Sequence, residues 1–187
     1  SGATQPGLSV DALRQAVMRA NAALHAEGDA QPAYKGMGTT LTVLHVAGVS
    51  QAQATLVHVG DSRAYLHRAG ALFQLTKDHS WVEDEVRAGR LSAQDAPAHP
   101  MRHVLTRALG IATQVEPEFL TLGLQAGDQL LLCTDGLTKM MNDEEIAATL
   151  ARSNRHPQAA CDALVREANE RGGRDNVTVL IVGDHIM

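Results

Sequence analysis

Three aspartates occupy comparable places in the chain. Asp61 follows LVHVG, Asp135 follows LLLCT and Asp175 precedes NVTVLIV, so each stands just outside an apolar run, beside a glycine or another turn former. One aspartate next to glycine at a strand end is ordinary turn chemistry. Three of them, with no cysteine or histidine cluster nearby, offer hard oxygen donors that suit Mg²⁺ or Mn²⁺ better than zinc. Paired hard cations suit hydrolysis of a phosphate ester, because they acidify water and neutralise charge developing on phosphoryl oxygens. Such chemistry needs no side-chain nucleophile, but it needs the three apolar runs to be neighbours, so that the carboxylates meet at one rim of a sheet.

The elements that would hold these acids follow from periodicity. Leu13, Val17, Ala20 and Leu24 recur at helical spacing and predict a helix over Ser9 to Ala26, with Ser9 as N-cap. After a Gly/Pro/Asp-rich break from Gly28 to Gly38, the pattern changes to short alternating or β-branched runs. These are Thr40 to Val49, Ala54 to Val59, Ala64 to Arg68 and Leu72 to Leu75, which predict an antiparallel meander with turns at Gly48, Gly60-Asp61 and Ala69-Gly70. From Lys77 to Leu109 there is no strand pattern: WVEDEVRAGR reads as a short amphipathic helix and SAQDAPAHP as a polar excursion, expected to be a mobile loop or a lid. Strands resume at Phe119 to Leu124 and Gln129 to Cys133, joined by Gln125 to Asp128. Helices are predicted from Asp143 to Arg152 and from Pro157 to Arg171, before a closing strand at Val177 to Val182. There is no repeat and no linker, so residues 1–187 form a single domain, of class α+β with helices packed on sheets.

Composition narrows the function. With 187 residues, 44% of them hydrophobic, the chain can bury a proper core. Its net charge of -5 is spread along the sequence without a Lys/Arg stripe, which disfavours nucleic acid as a partner. Two cysteines, Cys133 and Cys161, make no disulfide framework and fit a reducing compartment. No run approaches the roughly 20 apolar residues of a membrane span, and no signal-peptide pattern opens the chain. A cytoplasmic protein without membrane contact is expected. The opening Ser1-Gly2, without an initiator Met, resembles an expression scar.

Six segments, in order, resemble the metal-dependent Ser/Thr protein phosphatases of the 2C type in their bacterial form. They are GMGTTL (36–41), VGDSRAYL (59–66), QLTKDHSWV (74–82), HPMRHVLTRALG (99–110), LLCTDGL (131–137) and GRDNVTVLIV (173–182). The resemblance implies two packed antiparallel β-sheets flanked by helices, with Mn²⁺ or Mg²⁺ in the cleft between the sheets. Two ions would be catalytic, and bacterial members often bind a third. By motif position Asp135 and Asp175 look like ligands of the first catalytic metal and act through metal-activated water. Asp61 looks like a ligand of the third metal, sharing Asp135, and Asn176 would support Asp175. Residues 78–100 correspond to the family's flap. The implied substrates are phosphorylated proteins, among them a cognate Ser/Thr kinase and its targets.

One departure is large: the family's opening strands, with an Asn-Glu-Asp-like motif, an Asp-Gly-x-Gly-Gly motif and the phosphate-binding arginine, have no counterpart in this sequence. The expectation is a phosphatase lacking its N-terminal strands, impaired or inactive by itself, with self-association through the exposed sheet edge. The competing expectation is a non-catalytic, phosphatase-like binding module. Arg63 is expected to form a structural ion pair, Trp81 to anchor the flap helix, and the scattered histidines to pack locally.

Overall fold

The computed structural model describes residues 9–48, 52–153 and 156–183; Val49, His185 and the Ser1-Gly2 opening lie outside them. Helix α1 (Val10–Ala30) is capped by Ser9, whose hydroxyl accepts the Ala12 N–H, and it runs past the predicted Ala26. Four strands follow: β1 (Leu41–Ala47), β2 (Gln53–Val59), β3 (Arg63–Arg68) and β4 (Ala71–Gln74). The strandless middle holds the short helix α2 (Trp81–Arg87), capped by Ser80. Then come β5 (Glu118–Gly123), β6 (Gln129–Cys133), the one-turn helix α3 (Asp135–Thr138), α4 (Asp143–Arg152), α5 (Pro157–Glu170) and β7 (Val179–Gly183). Asn142 and Glu145 form a reciprocal capping box that starts α4, and Pro157 opens α5 where its missing N–H costs nothing.

The predicted meander is divided between two antiparallel sheets. β1, β2 and β5 form one in the order β1-β2-β5, and the other runs β4-β3-β6-β7. The chain changes sheets between β2 and β3, between β4 and β5, and again between β5 and β6. A short glycine-bearing connection has the same composition whether it closes a hairpin or crosses between stacked sheets, so local pattern could not separate the two. At the first crossing Gly60 has φ +114°, and a side chain there would also collide with Thr40.

Alternation along the strands then sorts the core into three layers. Val57 and Val59 of β2 face Leu13 and Val17 of α1. Ala54, Leu66 and Leu130 fill the space between the sheets. Tyr65, Leu131 and Cys133 meet Leu137, Ile146, Leu150 and Leu164 of the helices on the far side. The arrangement is helix, sheet, sheet, helices. The run LLLC is apolar at every position because β6 is covered on both faces.

Candidate active site

Register brings the three aspartates together. Arg63 of β3 is opposite Cys133 of β6, and Cys133 is opposite Val179 of β7. Asp61 therefore lies just before β3, Asp135 just after β6 and Asp175 just before β7, at the same end of three neighbouring strands about 4.8 Å apart. All three line one cleft of about 610 Å³. Asp135 is the first residue of α3, so the predicted turn is in fact a helical turn that starts on it. Gly136 is required by packing: a methyl group on it would run into the Asn176 carbonyl oxygen.

Between Asp135 and Asp175 stands an ammonium. Lys139 Nζ lies 2.5 Å from Asp135 Oδ2 and 3.1 Å from Asp175 Oδ2. The second Asp175 oxygen, Oδ1, accepts the Asn176 N–H at 2.8 Å, so Asn176 touches Asp175 through its backbone. Lys139 and this N–H hold the Asp175 carboxyl below the usual range. Burial would lower the Lys139 pKa, but the two carboxylates override it and hold the ammonium above its ordinary value. Asp61 is pushed up, first by burial and then by the neighbouring Asp135 and Asp78. Among the described residues no three carboxylate, imidazole or thiol groups are close enough to hold one ion. A hard cation nevertheless fits the Asp135 and Asp175 pair: both already converge on one positive charge, which marks where a cation would stand.

The opposite wall comes from the segment after β4, including Val82, Val86, Pro97 and Arg102. His79 ties its start to the site. Its N–H donates to the Gly60 carbonyl at 2.8 Å, its Nδ1 accepts the Gly60 N–H at 3.1 Å, and its carbonyl accepts the Thr106 N–H at 2.9 Å. The returning end is held where the Trp81 N–H donates to the Val104 carbonyl, and Trp81 stacks on His99 with ring centroids 4.8 Å apart. Both ends of the excursion are thus fastened beside Asp61. Arg63 makes a fork to Asp78, with Nε and Nη2 at 2.9 and 2.8 Å.

Sequence reasoning missed Lys139 and Asp78. Lys139 had a signal, since it stands four residues after Asp135, but that spacing means proximity only on a helix and the segment was read as a turn. Asp78 lies in a quoted segment, yet its pairing with Arg63 depends on the fold. A cysteine nucleophile has no support: burial pushes the Cys133 thiol up to about 12, and it faces the helix-side core.

The profile of the family Protein phosphatase 2C matches residues 3–177. The chain belongs to that family. The serine/threonine phosphatase Stp of Listeria monocytogenes is 39% identical over 170 residues, which cover 91% of this chain and 66% of the relative. The crystal structure of Mycobacterium tuberculosis PstP superposes with a TM-score of 0.82 at 40% identity, covering 92% of this chain and 71% of that one. A PstP catalytic domain in complex with two manganese ions gives a TM-score of 0.82 at 38% identity, covering 95% of this chain and 72% of that one. This member of the 2C family thus spans about two thirds of the length of the Listeria relative.

Proposed function

We propose that the chain works as a metal-dependent protein Ser/Thr phosphatase, hydrolysing phosphoserine and phosphothreonine with water as nucleophile. The observation that carries this reading is the convergence of Asp135 and Asp175 on one cation at the end of adjacent strands, inside a cleft. The likeness to the manganese-bound PstP domain supports Mn²⁺ or Mg²⁺ as cofactor, held by Asp135 and Asp175, with Asp61 and Asp135 at an accessory position. A bound divalent ion would neutralise phosphoryl charge and make water acidic enough to attack near neutral pH.

This chain's own residues have separate tasks. The Asn176 N–H fixes one Asp175 oxygen, and the α3 backbone fixes Asp135. Arg102 and Arg174 line the cleft and offer positive charge to a phosphate dianion. Residues 78–100, the flap in this reading, form a wall against which a phosphopeptide would lie. Phosphorylated proteins, including a cognate kinase and its substrates, are the proposed partners, and the cytoplasm the proposed place of action. No described helix is long and apolar enough to cross a membrane.

The test is Mn²⁺-dependent hydrolysis of a phosphoserine peptide, by this chain and by a longer version matching the relatives' length. Asp135→Ala and Asp175→Ala are expected to lose about 100-fold or more of the activity, and Asp61→Ala less. A second reading, a phosphatase-like binding module without catalysis, draws on the lack of a three-ligand group among the described residues. An inactive longer protein that still binds Mn²⁺ would favour it.

A further inference from the structure

Resting on the metal-binding reading above, we propose that Lys139 is the cleft's built-in counter-ion: its ammonium joins Asp135 to Asp175 in the metal-free chain and must leave them for a divalent cation to bind. Lys139 thereby sets the chain's affinity for metal.

The geometry is specific on both sides. Lys139 caps the C-terminal end of α3, the same single turn that begins with Asp135, and its N–H donates to the Asp135 carbonyl at 2.8 Å. At this four-residue spacing the side chain lies back over the first turn, so one stretch of backbone delivers both the carboxylate and its cation. Asp175 arrives from another strand with Oδ1 taken by the Asn176 N–H and Oδ2 turned to Lys139. A lysine ammonium is a compact point charge with three donors and can serve two carboxylates at once.

Without a cation the two carboxylates would repel each other. A divalent ion held by the same two carboxylates would carry twice the charge of the ammonium and compete with it, so that binding would be an exchange. The exchange is open to solvent: the Asp135, Asp175 and Lys139 side chains are 30%, 45% and 32% exposed. Partly exposed ion pairs contribute little individually, so parting two of them corresponds to about three- to tenfold in affinity.

Calorimetric Mn²⁺ titration of the parent, K139Q and K139R tests this. K139Q is expected to bind Mn²⁺ about three- to tenfold more tightly than the parent, while K139R, which keeps the charge, stays within about twofold. In thermal unfolding without metal K139Q should melt below the parent, and its midpoint should rise more on adding Mn²⁺. Equal or weaker Mn²⁺ affinity in K139Q, or equal tightening in K139R and K139Q, overturns the proposal and leaves the metal reading intact. If the parent and Asp135→Ala both give no saturable Mn²⁺ heat, the metal reading itself fails and the proposal with it.

Discussion

His58 and His79 are both buried, with ring centroids 4.8 Å apart. His58 contacts the Thr42 hydroxyl and the Lys77 carbonyl, whereas His79 meets Gly60, Glu118 and Arg107. Burial, and then His79, lowers the His58 pKa; burial likewise lowers that of His79, with Glu118 opposing it. A lowered imidazole pKa means that the native state binds fewer protons than the unfolded chain between the two pKa values. Stability is therefore present above the unfolded value near 6.5 and declines as pH falls through it. The melting temperature of the metal-free protein is expected to drop from about pH 7.5 to about pH 5.5, and more shallowly in His58→Gln. Equal slopes in the two proteins would remove this assignment. Sequence reasoning placed these histidines among packing residues; their tilted ring contact needed β2 and the chain after β4 to meet.

At the scale of elements, the crossing from β5 to β6 is held by an ion pair between the buried Asp128 carboxylate and the partly exposed Arg68 guanidinium. Asp128 accepts from Arg68 Nε at 2.8 Å and Nη2 at 2.6 Å, and from the Gln125 N–H at 2.8 Å, which holds the loop against β3. Burial acts against ionisation of Asp128, but Arg68 and this N–H prevail and keep its pKa below the usual range. The contribution is present above the unfolded pKa near 3.9 and is lost as pH falls through the folded value. Asp128→Ala is expected to cost about 2–3 kcal/mol at neutral pH by urea unfolding, since it leaves the Gln125 N–H and Arg68 without their acceptor. A loss under about 0.5 kcal/mol would mean that the pair is no more than a surface contact. Element boundaries were largely legible: Gln129–Cys133 and Asp143–Arg152 coincide with the predicted spans, because apolar period and caps are local signals. Which sheet each strand joins was not legible, because that choice depends on what covers both of its faces.

For the whole molecule, the described three-stranded sheet ends on β1 and β5, which carry the exposed apolar Val46 and Leu120. Outer strands with apolar side chains invite pairing with another chain. Copies of this chain are expected to associate in a concentration-dependent way, as read by light scattering; a monodisperse monomer across the range with a sharp unfolding transition would count against it. The sequence by itself determined the class of the fold and most of its elements and singled out the three aspartates as candidates, since each of these rests on residue type and short-range spacing. Only the tertiary structure decided which strands join which of the two stacked sheets and that β3, β6 and β7 place the aspartates at one rim. It also placed Lys139 between Asp135 and Asp175. The physical reason is that charge interactions act through space: two carboxylates and an ammonium become one site only when the sheet brings them within ion-pair distance, and no local pattern encodes that approach.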